Sequence, residues 1–141
     1  MKKIHTILVS CVAVGLLIAR PAIAEDNLYS KQFGICTDKT NGSTFAILDC
    51  IHQEVTRQDK KLNANYKKAM ALIGEQIGKE GQDTLRQAQR AWLKWRDQDN
   101  GVYVQFYNYY GDTARINANG DYLEKTARRV RDLENMIKMM E

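Results

Sequence analysis

The sequence predicts an all-α fold, an antiparallel bundle of three long helices preceded by an irregular, disulfide-stapled N-terminal arm. Apolar residues recur at spacings of three, four or seven from Thr44 onward, which is the period of an amphipathic helix. The single proline of the chain is Pro21, so no proline interrupts a helix after that point. We find no convincing run of alternating polar and apolar residues, the pattern typical of a half-buried strand.

Residues 1–24 are predicted to be a secretory signal peptide, and residues 25–141 to form one helical domain. Two lysines precede an apolar stretch that is too short to span a membrane. Ala22-Ile23-Ala24 then has the small-x-small pattern that precedes a cleavage site. Cleavage after Ala24 predicts export to a bacterial periplasm, and acylation at Cys11, as in a lipoprotein, is the alternative.

Two cysteines, Cys36 and Cys50, remain after the signal peptide. An even number of cysteines in an oxidising compartment predicts one disulfide, with a reactive thiol or a metal-binding pair as the alternatives. A bridge that closes a loop of about 15 residues contributes roughly 3 kcal/mol in the chain-entropy model. One further histidine, His52, does not complete a zinc site, so neither a metal nor a cofactor is predicted.

The N-terminal arm, residues 25–43, is predicted to be irregular apart from a short helix around residues 28–33. The first long helix is expected over residues 44–77, capped by Ser43 or Thr44. Its apolar residues fall within a stripe about 100° wide on the helix surface. They are Leu48, Ile51, Val55, Leu62, Tyr66, Ala69, Ile73 and Ile77.

The second and third long helices follow a break at Gly78 and Gly81. The second is expected over residues 82–110, and the third over residues 114–139. Gly111-Asp112-Thr113 between them is a turn signal. Short connections of this kind place consecutive helices antiparallel in a bundle.

Four polar residues interrupt the apolar stripes: Asp59, Gln89, Arg96 and Thr126. A buried charge costs several kcal/mol unless it is paired, so these side chains are expected to meet. We predict an ion pair between Asp59 and Arg96, with Gln89 and Thr126 as hydrogen-bond partners. The favoured interpretation is a core network that fixes the helix register, and the alternative is a ligand-binding or catalytic site.

Several blocks of residues carry a resemblance to a known family. In order they are Cys36 and Cys50, Asp59-x-x-Leu62-Asn63-x-x-Tyr66, Gln89-Arg90-Ala91-Trp92-x-x-x-Arg96-Asp97, and Thr126-x-x-Arg129-x-x-x-Leu133. Together they resemble the small secreted helical domain of the LprI-type lysozyme-inhibitor family, over roughly residues 36–133. The resemblance adds Asn63 and Arg129 to the polar network. It also implies an exported, helical, disulfide-bonded protein.

The chain departs from the family pattern at one pair of positions. Where the family has a second pair of cysteines, this sequence has Asn100 and Asp121. The hairpin of the second and third helices is therefore expected to lack a covalent bridge and to be looser than in the family.

The charge balance and the motifs exclude several classes of function. Without the three basic residues of the signal peptide, 18 of the 21 basic residues remain against 17 acidic ones. This near-neutral balance gives no electrostatic reason to expect nucleic acid or an anionic membrane as a partner. The sequence has no phosphate-binding glycine loop, zinc-protease motif or serine elbow, so no catalytic residue is predicted and the protein is not expected to be an enzyme.

The resemblance implies a periplasmic protein that binds and blocks a lysozyme-like peptidoglycan hydrolase. The candidate partner-binding residues lie in an aromatic segment of the second helix: Val104, Tyr107, Tyr109 and Tyr110. On a helical wheel Tyr103, Tyr107 and Tyr110 point toward the core, and Val104 and Tyr109 point away. The alternatives are an immunity protein against a secreted cell-wall-degrading effector and a structural or stress-related periplasmic domain with no enzyme target.

Overall fold

A computed structural model describes residues 27–141 and contains three helices: α1 (Lys31–Thr37), α2 (Thr44–Gln76) and α3 (Lys79–Met140). Helix α3 is interrupted at Gly111, whose φ of 67° and ψ of −152° are non-helical. We call residues 79–110 segment α3a and residues 112–140 segment α3b. The predicted all-α fold is confirmed. The predicted signal peptide and Cys11 lie outside the described residues.

The three long helical segments form an antiparallel bundle, as the sequence predicts. Segment α3b folds back along α3a, so that Arg96 of α3a donates a hydrogen bond of 3.4 Å to Thr126 of α3b. Helix α2 lies beside both segments. Its Asn65 donates to the Glu134 carboxylate of α3b at 3.3 Å. The chain therefore reverses at Gly78 and again at Gly111.

The connection between α2 and α3 is shorter than predicted. Helix α3 begins at Lys79 rather than at residue 82, because Gly78 alone adopts the left-handed conformation (φ 88°) that turns the chain. Gly81 does not end a helix but lies in the first turn of α3. A Cβ atom there would come within 2.7 Å of the Ile73 side chain and 2.8 Å of the Ile77 side chain. Glycine at this position thus permits the close packing of α3 against α2.

The beginning of α2 agrees with the prediction, while the short helix of the arm is displaced. The Ser43 side chain accepts a hydrogen bond from the backbone of Ala46 and caps α2. Helix α1 starts at Lys31, three residues later than expected, since Ser30 caps it by accepting from the backbone of Phe33. The disulfide between Cys36 and Cys50 is present, and it ties the end of α1 to the first turns of α2.

The core lies between α2 and both segments of α3. Its main cluster of buried apolar residues consists of Leu62, Ala69, Ile73, Leu85, Val130, Leu133 and Ile137. Nearer the arm, Leu48, Cys50, Ile51, Ala118 and Leu123 are also buried. Each large aliphatic side chain buried in this way contributes about 1.5–3 kcal/mol. Within residues 27–141 no helix is long and apolar enough to cross a membrane.

Candidate functional site

Arg96 is the centre of the polar network inside the bundle. Its guanidinium lies between two rings, with its central carbon 5.0 Å from the centroid of Trp92 and 4.4 Å from that of Tyr122. Thr126 accepts a hydrogen bond from Arg96 and donates one of 2.9 Å to the carbonyl of Tyr122. Only 7% of Arg96 is exposed. The residue therefore joins α3a to α3b chiefly by stacking, with a desolvated cation between two aromatic faces.

The predicted ion pair between Asp59 and Arg96 is present, and Asp97 is a second, closer partner of Arg96. Arg96 contacts the Asp97 carboxylate at 3.0 Å and the Asp59 carboxylate at 3.6 Å. The Asp59 side chain is 43% exposed, so it is not the buried carboxylate that its place in the α2 stripe suggested. Partial burial raises the pKa of the Asp59 carboxyl, although the charge of Arg96 acts to lower it. The ion pair of the half-exposed Asp59 with Arg96 therefore contributes little to the stability of the fold.

The other predicted members of the network fall into two groups. Gln89 is buried, but its side-chain oxygen accepts a hydrogen bond of 2.9 Å from Arg129 rather than from Arg96 as was predicted. This bond links α3a to α3b about two helical turns from Arg96. Asn63 does not join the network, because it is exposed on α2. Its neighbour Leu62 faces the core, and consecutive helical residues point about 100° apart.

A second cluster fastens the α3 hairpin closer to Gly111. The Lys125 ammonium donates to the carboxylates of both Asp99 and Asp121. It also lies 5.2 Å from the ring centroids of Trp95 and Tyr103. We call Lys125 with its two carboxylates the lysine clamp. Asp121, where the family pattern has a cysteine, is thus part of an ionic link between α3a and α3b.

The end of the α3 hairpin exposes an aromatic surface. Tyr109 is 83% exposed and Tyr110 is 69% exposed, and Val104 and Phe106 are exposed as well. We call these four residues the tip surface. The prediction that Tyr110 points toward the core was wrong. Tyr103, for which the same was predicted, is half-buried. The side chain of Tyr107 lies outside the part that the structure describes.

Among the described residues, only those of α3 line the groove at the tip surface. A groove of about 450 Å³ at the tip is lined by Tyr103, Phe106, Tyr110, Thr113, Ala114 and Asn117, all of them residues of α3. The Phe106 ring lies 6.4 Å from that of Tyr103 and 5.9 Å from that of Tyr110. The apolar stripe of α3a thus continues beyond the part of the bundle in which it is buried.

A buried carboxylate that sequence reasoning missed attaches the arm. Glu54 of α2 is fully buried and accepts hydrogen bonds from the Ser30 backbone (2.9 Å) and hydroxyl (2.5 Å). Arg57 and Gln58 each donate to it at 2.7 Å. Burial alone would raise the pKa of Glu54, but these hydrogen bonds outweigh it and the pKa is lowered. The spacing of Glu54 and Gln58 between Ile51 and Leu62 was a signal for their burial.

The described residues offer no obvious metal centre. Within residues 27–141, no group of three or more histidine, cysteine, aspartate or glutamate side chains is arranged to hold a metal ion. His52 is exposed, and its ring lies 3.2 Å from the Asn119 side-chain oxygen.

These features define a class of protein: a small, disulfide-bonded helical-bundle domain with an aromatic hairpin end. The profile of the family described as "Lysozyme inhibitor LprI" matches residues 36–133, which is most of the chain, and the chain belongs to this family. Neither the curated proteins nor the solved structures gave a match.

Proposed function

We propose that this protein is exported, is cleaved after Ala24, and inhibits a lysozyme-like peptidoglycan hydrolase in the periplasm by binding it. Membership of the lysozyme-inhibitor family over residues 36–133 is the observation that supports this function. The signal-like N terminus and the disulfide between Cys36 and Cys50 are consistent with an oxidising compartment. Intact-mass measurement of periplasmic protein tests the cleavage site, and an acylated Cys11 would contradict it.

The tip surface is the proposed contact with the hydrolase. It lies where the chain reverses at Gly111, so it is the end of a hairpin, a shape that can enter a cleft. Residues 100–111 include four tyrosines and no charged residue. Tyrosine provides a large contact area at a small cost in conformational entropy, and it is enriched at binding hot spots. An uncharged aromatic tip predicts an interaction that depends weakly on salt.

Inhibition of peptidoglycan clearing by several lysozymes tests the proposal. We expect equimolar protein to slow clearing by at least one type of lysozyme. Tyr109→Ala should weaken inhibition by about 2 kcal/mol of binding free energy, the size of a typical hot-spot residue. Met139→Ala is the matched control, because Met139 is 80% exposed and lies near the opposite end of α3. Equal loss in both variants, or no inhibition of any lysozyme, would contradict the proposal.

The choice of hydrolases also separates the two inhibitory roles. A panel that contains both animal lysozymes and secreted bacterial wall hydrolases can be tested in the same assay. Inhibition confined to a bacterial effector would support the immunity role. No binding to any member of the panel would instead favour a structural or stress-related domain.

A further inference from the structure

The second feature with the geometry of a site is a groove between α2 and α3a, away from the tip surface. Its volume is about 320 Å³, at the lower end of the range of ligand pockets, which suits a small molecule better than a protein segment. Leu62 and Leu93 provide apolar surface, and Gln89 and Arg90 provide polar groups. We call it the α2–α3a groove.

Gln89 lines this groove and has a hydrogen-bond donor that no described residue uses. Only 7% of the residue is exposed, and its side-chain oxygen accepts a hydrogen bond from Arg129. Within the described part of the chain the amide NH₂ of Gln89 has no acceptor. Among the described residues the only fully buried side-chain nitrogen or oxygen without a partner is Nη2 of Arg57, so the Gln89 amide nitrogen reaches solvent and can donate to a ligand in the groove.

The remaining polar groups of the groove are also donors. Arg90 is exposed and forms no ion pair with another described residue. Arg86 also lines the groove, and one of its nitrogens contacts the Asp83 carboxylate. Asn63 and Tyr66 complete the polar lining. No carboxylate lines the groove, so its lining carries two positive charges.

We propose that the α2–α3a groove binds a small molecule that has a carboxylate and a short apolar group. The carboxylate would accept hydrogen bonds from Gln89 and Arg90, and the apolar group would lie on Leu62 and Leu93. A carboxylate is favoured because it accepts on both oxygens and complements guanidinium geometry. This proposal does not depend on inhibition of a hydrolase.

N-acetylalanine, which has a carboxylate beside a methyl group, is the probe, and its uncharged amide, N-acetylalaninamide, is the matched control ligand. We expect N-acetylalanine to produce saturable NMR shifts at the groove, including the side-chain amide of Gln89, and the control ligand to produce none. Arg90→Gln should weaken binding about tenfold or more, as expected for loss of a hydrogen bond between charged groups. Because Arg90 is exposed, this variant should keep the parent fold.

Arg128→Gln is the matched protein control, since Arg128 is an exposed arginine outside the groove and its loss changes the net charge by the same amount. We expect Arg128→Gln to bind N-acetylalanine like the parent. Equal weakening in both variants would show general attraction to a cationic surface and would overturn the proposal. Shifts that do not saturate, or equal shifts with N-acetylalaninamide, would overturn it too.

Discussion

Replacement of Arg96 by alanine should destabilise the bundle through lost stacking rather than through a broken ion pair. The variant removes a guanidinium that lies 5.0 Å from the Trp92 centroid and 4.4 Å from the Tyr122 centroid. Each cation–π contact contributes about 0.5–2 kcal/mol, and the buried stem leaves a cavity. We therefore expect Arg96→Ala to lower the free energy of unfolding by about 2–4 kcal/mol.

Asp59 should contribute much less. Its carboxylate is 3.6 Å from Arg96 and its side chain is 43% exposed, and pairs of this kind contribute about 0–1 kcal/mol. The raised pKa of Asp59 also indicates that its carboxylate adds little stability at neutral pH, because an acid with a raised pKa favours the folded state most when it is protonated. That contribution is lost as the pH rises through the raised pKa. Asp59→Asn should therefore stay within about 1 kcal/mol of the parent at neutral pH.

Urea unfolding followed by far-UV circular dichroism measures both variants, with the disulfide intact. Arg96→Lys is the informative control. Lysine keeps the positive charge but lacks the planar group that stacks on aromatic faces, so it should restore little of the lost stability. If lysine restored most of it, and Asp59→Asn were as costly as Arg96→Ala, the ion pair would be the dominant interaction and our reasoning would be refuted.

Three further predictions concern the links that hold the arm and the hairpin. Lys125→Met should lower the free energy of unfolding by about 2 kcal/mol and accelerate amide exchange at the tip, whereas Lys94→Met, at an exposed lysine, should do neither. Glu54→Gln should make the free energy of unfolding depend less on pH in the acid range. A carboxyl with a lowered pKa stabilises the fold at neutral pH, and this contribution is lost as the pH falls through that pKa. An unchanged pH profile would contradict this. Replacing Cys36 and Cys50 by serine should cost about 3 kcal/mol in urea unfolding, and dithiothreitol should destabilise only the parent.

The helices could be predicted closely because their signals are local. The start of α2 at Thr44 follows from an N-cap serine and a regular apolar period. The position of α3 was less accurate, since Gly81 reads as a break in sequence but lies inside the first turn. Its role depends on contact with Ile73 and Ile77, which are four to eight residues away across the turn. Sequence pattern alone does not report such a close approach.

The polar groups show where sequence reasoning fails. Helical periodicity placed Asp59 in the stripe of α2, but Gln58, one residue earlier, is the buried position. Glu54 and Gln58 are tolerated there because the arm supplies Ser30 and the carbonyl of Leu28 as partners. Those partners are 24 and 30 residues away in sequence. The periodicity of one helix contains no information about them.

The prediction for Tyr110 at the tip surface was wrong for a different reason. Periodicity correctly continues the apolar stripe of α3a to Tyr110, but a stripe is buried only where another element packs on it. In the structure Tyr110 is exposed, and its ring contact is with Phe106 of the same segment. An amphipathic helix end without a packed neighbour leaves aromatic surface available to a partner. The misplacement of Tyr110 therefore coincides with the candidate binding surface.

The family motifs combine two physical roles that the structure separates. Arg96, Thr126 and Leu133 are buried, and their contacts account for the packing of α3a against α3b. Asn63 and Arg90 belong to the same motifs, yet both are exposed and neither pairs with another described residue. Packing therefore does not explain them. Both line the α2–α3a groove with Gln89, so the proposed ligand site would give these two motif positions a role that neither the core nor the tip surface provides.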